Sequence, residues 1–165
     1  GYNRFRWLEY GITATMMIFI LNIISGVFDF DSVFLLCVLT AVLMSMGYFL
    51  ETSTKQETKY VALFLGFSVL LCIFGIIFEN FFYRIDEAKK LDRDLPDWLY
   101  GVLLPMLFWY ASFGVVAAVN VFNQKNVGYS YITYEKWYIY LSFLSKAFMG
   151  YYLAIALTRE KSKEK

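Results

Sequence analysis

Histidine is absent from the 165 residues, and cysteine and proline occur only twice each. Without imidazole there is no histidine-based catalytic triad and no His-rich metal site, and Cys37 and Cys72 lack the close spacing of a zinc site. Each cysteine lies deep in an apolar run, where a thiol behaves as a small hydrophobe, so a disulfide framework is not indicated. Charge is scarce as well, at 18% of residues with a net of +1. Its basic members sit in loops and tail, which leaves out the electrostatic footprint of a nucleic-acid binder. No activated serine, cysteine or metal constellation emerges, and the chain reads as a non-enzyme. A cleavable signal pattern is also missing from Tyr2-Asn3-Arg4-Phe5-Arg6, and with Gly1 in first place the natural start is expected to lie upstream.

What fills the space is apolar: 59% of residues are hydrophobic and 21% aromatic. A membrane-crossing helix needs about 20 mostly apolar residues. Five runs approach that length, from about Tyr10 to Phe28, Ser32 to Leu50, Tyr60 to Phe82, Leu99 to Phe122 and Trp137 to Leu157. Each is expected to be a helix, since an open sheet cannot satisfy its backbone in lipid. The fold class is therefore all-α, a single membrane domain of five transmembrane helices in contact with lipid. Trp98, Tyr100, Tyr134, Trp137 and Tyr138 mark span ends, where amphipathic rings prefer the headgroup layer. The polar stretches between are read as loops, including Arg84 to Asp97 and Asn123 to Glu135. Pro96 suits a helix start, whereas Pro105 falls inside the fourth span and should loosen its backbone. The face carrying Arg84, Lys89, Lys90, Arg93, Arg159, Lys161, Lys163 and Lys165 is the more basic, which by the positive-inside rule makes the tail cytoplasmic.

Lys146 is the most informative residue. It lies near the centre of the fifth span, ten residues after Lys136 and thirteen before Arg159. A charge at that depth costs roughly 2.5 to 3.5 kcal/mol on insertion scales, so such residues face an interior site and have a partner. One reading is imine chemistry: desolvation frees the amine to attack an aldehyde, and a nearby carboxylate then stabilises the protonated product. The other is a structural lysine paired with an acid or carbonyl, or facing a watery passage. On its own helix, Ser142 and Gly150 share its face at four residues' distance, one offering a hydroxyl and the other room beside the lysine stem. Neither carries charge, so a counter-charge must come from another helix. Glu9 is the candidate, although Arg4, Arg6 and Glu9 read equally well as a solvated helix start.

Arg6-Trp7-Leu8-Glu9-Tyr10, followed by hydroxyls at Thr13 and Thr15, resembles the third helix of heliorhodopsins, with Gly11 in place of a usual serine. Asn120, Asn123-Gln124-Lys125, Gly128, Tyr134-Glu135, Tyr138-Ile139, Leu141-Ser142 and Ser145-Lys146-Ala147 are similar to that family's passage from sixth helix to seventh. Met46-Gly47-Tyr48-Phe49-Leu50-Glu51 is similar to the end of its fourth. The resemblance spans essentially the whole chain and implies helices three to seven of a seven-helix bundle, with two earlier helices absent and the first span extended to about residues 1–28.

It further implies a retinal-binding light sensor, with retinal as cofactor linked as an imine to Lys146, Glu9 as counterion and Ser142 beside the linkage. Ser142 stands where ordinary microbial pumps hold an aspartate, which argues against pumping. Tyr10, Thr13, Met46, Trp109 and Phe113, with Pro105, are candidate pocket walls, each of which plain helix packing also explains. A homodimer, an unidentified signalling partner and an extracellular C-terminus follow from the resemblance, the last against the basic-residue count. Two alternatives stand beside it. One is a light-gated ion conductor with Thr13, Thr15, Asn22 and Asn120 along a path; the other is a transporter or structural membrane protein with a paired buried lysine.

Overall fold

A computed structural model describes residues 3–26, 28–91, 100–123 and 131–163, the side chains of 156, 157 and 159–163 excepted. Pro96, Trp98, the Asp92 to Asp97 acids and the stretch from Gln124 through Gly128 lie outside the described residues. The described residues form five helices and no strand: α1 (Arg4–Ile24), α2 (Phe30–Thr52), α3 (Gln56–Lys90), α4 (Tyr100–Asn123) and α5 (Tyr131–Lys163).

Local chemistry sets the boundaries. Asn3 caps α1 by accepting from the Arg6 backbone N–H at 3.3 Å, so the helix begins well before Tyr10, the first residue of the expected apolar run. Asp29 caps α2, its carboxylate accepting from the Ser32 N–H at 2.9 Å. That hydrogen bond holds the Asp29 carboxyl below the usual range. A depressed acid stabilises the cap above its unfolded-state pKa and loses that contribution as pH falls through the folded value. Acidification, like Asp29→Ala, is therefore expected to lower amide protection factors in the first turn of α2 while leaving mid-helix protection factors unchanged.

The charged stretch after Phe82 departs from the expected loop. Arg84 to Lys90 continues α3 for two further turns. Arg84 pairs with Glu87 at 3.2 Å, one turn apart, and reaches across to the Gly26 carbonyl at 3.1 Å. Lys89 and Lys90 close the helix, where cations complement its dipole. A run of charge reads as a loop by composition, yet it sustains a solvated helix when its signs alternate at helical spacing.

Four helices, α1 to α4, are long and apolar enough to cross a membrane. At 33 residues α5 has the length, but Lys146, Ser142, Ser145 and five tyrosines between 131 and 151 dilute its apolar content. Successive helices pack side by side, with α2 also touching α4. Ile18, Leu21, Leu36, Ile73, Ile77, Val102, Leu103 and Met106 are fully or almost fully buried and form the main core, while Leu50, Ala62 and Val121 form a smaller cluster. The outward faces carry Phe34, Phe64, Leu71, Phe108 and Phe143, each more than 60% exposed. Apolar exposure on that scale suits lipid and no aqueous surface.

Candidate retinal site

Alternation of helix direction brings the start of α1, the end of α2, the start of α3, the end of α4 and the start of α5 to one end of the bundle. Between that end and the main core lies an apolar cleft of about 880 Å³, its open mouth included. Tyr10, Thr13, Met46, Phe113, Ser142 and Lys146 all line it. Trp109 and Pro105 do not. Trp109 instead packs on Phe148, ring centroids 6.4 Å apart, because its position on α4 turns it toward α5 and away from the cleft.

Lys146 is half-buried, and its amine forms an ion pair and hydrogen bond with Glu9. The Lys146 side chain is 35% exposed and that of Glu9 50%, so the pair sits at the edge of the cleft. Nζ also lies 5.9 Å from the Tyr10 ring centroid, within reach of its negative face. The Tyr10 hydroxyl donates to the Tyr138 carbonyl at 2.9 Å, tying α1 to α5 beside Ser142. A Cβ at Gly150 would meet nothing within 4 Å, so that glycine holds no space against a neighbour. Thr13 and Thr15 bond the carbonyls of Glu9 and Gly11, four residues back on their own helix. Thr15, Asn22 and Asn120 are not among the residues that line the cleft.

The walls are aromatic. Tyr10 meets Phe113 edge-on at 5.7 Å, and Phe113 stacks on Tyr138 at 6.2 Å. Tyr110 crosses from α4 to donate to the Ala14 carbonyl at 3.0 Å. Two glycines admit rings that any side chain would displace. A Cβ at Gly114 would stand 2.8 Å from the Phe67 ring, and one at Gly47 would overlap the Trp7 ring. Trp7 has little freedom to give way, because its indole N–H donates to Glu51 at 2.8 Å. Gly47→Ala is accordingly expected to destabilise the chain by about 1 to 3 kcal/mol through overpacking. Gly11→Ala, with nothing within 4 Å of the new methyl, provides the neutral comparison in thermal unfolding.

Sequence reasoning missed the second charge cluster. Arg6 is 5% exposed and bonds Glu51 on α2 and Glu135 on α5 at once. Asn3 adds a bond to Glu135 at 2.9 Å, and the Arg6 guanidinium lies 4.6 Å from the Tyr138 ring centroid. The signal was present: three charges near helix ends that alternation places at one end of the bundle. Glu51 and Glu135 stand in the sequence as parts of a pattern, and Glu135 also as the end of an expected loop, whereas α5 already includes it.

Among curated proteins, none matches this chain. A family model, Heliorhodopsin, matches residues 1–156, which takes in the cleft, Glu9 and Lys146. By that match the chain belongs to the heliorhodopsin family, the retinal photoreceptors of the rhodopsin kind, and is a multi-pass membrane protein.

Proposed function

We propose that this chain is a light-sensing photoreceptor whose chromophore is held by Lys146, with Glu9 as counterion and with α1 to α5 all crossing the membrane as helices three to seven of the family's bundle. The observation carrying the proposal is the meeting of the Lys146 amine with the Glu9 carboxylate at the edge of an apolar cleft. Retinal, when bound, supplies an aldehyde that condenses with an amine and a polyene that isomerises in light. The residues fit such a group: an apolar, aromatic slot with few polar atoms, and one amine at its edge.

In this reading Lys146 fixes the ligand's position from α5. Glu9 keeps positive charge at Nζ, since an opposite charge in contact favours the charged form. Tyr10, Phe113 and Met46 exclude water from the slot, and Ser142 offers a hydroxyl beside the amine without adding charge. An acid at Ser142 would give a second acceptor for a proton; with serine there, Glu9 is the one carboxylate bonded to Lys146 among the described residues, and the arrangement suits signalling rather than pumping. The proposal extends to a homodimer with its C-terminus outside the cell and an unidentified signalling partner.

The test is Glu9→Gln in lipid supplied with retinal. The pH at which visible absorbance is lost is expected to fall by about one to three units, because the cation loses its ionised partner. An unchanged titration would assign the counterion role elsewhere.

A further inference from the structure

Three glycines line the cleft: Gly47, Gly66 and Gly114. Two of them make room for rings of the protein itself, since a Cβ at Gly47 would overlap the Trp7 ring and one at Gly114 would stand 2.8 Å from that of Phe67. Gly66 is different. A Cβ there would meet Leu43 Cδ1 at 3.7 Å and Met46 Cβ at 3.8 Å, ordinary contact distances, so the approach of α3 to α2 does not require glycine. Nor does the backbone: Gly66 lies inside α3, and the positive φ among the described glycines is at Gly26. A glycine in a helix interior weakens it relative to alanine, having more freedom to lose on folding and no side chain to pack. Neither turn, cap nor close packing therefore accounts for Gly66.

Helix order relates this position to Lys146. α3 packs on α2 and α4, and α5 packs on α4, so a ligand fixed at Lys146 enters the cleft from the α5 side and runs toward the α3 wall. Ala62 and Leu70 share the face of Gly66, one turn to either side, and both line the same cleft. We propose that Gly66 is a specificity-determining residue: the volume left by its missing side chain receives the far end of the ligand and so sets how long an apolar aldehyde the Lys146 site accepts. This rests on the reading of Lys146 as the attachment point. Leu43 and Met46 bound the space on the α2 side at the depth of one methyl, and both also line the cleft. The carbons of a longer side chain at residue 66 therefore occupy the cleft itself. A short aldehyde ends before that wall, whereas a long one meets it.

The test compares two aldehydes of different length on the same amine. The full chain in lipid is incubated in the dark with retinal or with citral, an unsaturated aldehyde of half retinal's carbon count. Amine and aldehyde join as C=N with loss of water, borohydride reduces that bond to a stable secondary amine, and mass spectrometry measures the fraction of Lys146 modified. Gly66→Leu is expected to cut the retinal adduct at Lys146 by about tenfold or more, since small differences of bulk in an apolar pocket discriminate by such factors, and to leave the citral adduct unchanged. Gly66→Ala is expected to lower the retinal-to-citral ratio by a smaller factor. Thermal unfolding without either aldehyde checks that the variants are folded. Should Gly66→Leu fail to fold, the alanine variant decides the matter by the same ratio. An unchanged ratio in the folded variants, including one in which both adducts fall equally, would overturn the inference and leave Lys146 as the attachment point. Absence of the retinal adduct from Lys146 in the unsubstituted chain would reject the chromophore reading and this inference with it.

Discussion

Lys146→Ala, supplied with retinal in a lipid bilayer, is expected to show no visible absorbance band at all. The effect is all-or-none because a covalent attachment point is removed rather than weakened. Lys136 on the same helix is exposed near its start, and Lys136→Ala is expected to keep the band. Depth alone made Lys146 conspicuous: an ammonium some ten residues from either end of a span is retained only where something uses it. The ion pair with Glu9 supplies a partner, and the cleft lined by both α1 and α5 supplies a place for an apolar ligand. A band surviving in the alanine variant would mean that the pair is structural and the ligand, if any, is held elsewhere.

The second large effect is expected on stability. Glu51 has 3% side-chain exposure and Arg6 4%, and the carboxylate also accepts from the Trp7 indole. Glu51→Ala leaves the guanidinium away from water with one of its two bonded carboxylates gone and removes the partner of Trp7 as well. Breaking one side of a buried pair costs about 3 to 5 kcal/mol, comparable with much of a small domain's margin. Thermal unfolding in lipid should therefore fall far more for Glu51→Ala than for Glu87→Ala. Glu87 pairs with Arg84 at the surface, both side chains more than 40% exposed, where a salt bridge contributes at most about 1 kcal/mol. Equal effects of the two substitutions would remove the Arg6 cluster from its place as the clamp joining α1, α2 and α5.

Helix number and kind were legible in the sequence because lipid demands long apolar runs and leaves the backbone one way to satisfy itself. Boundaries were less so. Arg84 to Lys90 looks like a loop when charge is counted and becomes a helix once the Arg84–Glu87 spacing is respected. The pairing of Lys146 with a carboxylate on another helix was foreseeable from the cost of a lone buried charge, and Glu9 was named on resemblance. Trp109 lies outside the cleft lining because helical rotation, which decides whether a ring faces a cleft or a neighbour, is set by packing across α4 and α5 and not by composition. The Arg6 cluster went unread for a similar reason. Its three members sit 45 and 84 residues apart along the chain, and no local periodicity connects them.

The most direct measurement fixes the ligand to its residue. The chain is incubated with retinal in the dark, reduced with borohydride, digested and mapped by mass spectrometry. The account predicts the added retinyl mass on the peptide containing Lys146 and on no other lysine. Finding it on a different lysine, or on none while the visible band is present before reduction, would contradict the account at its centre.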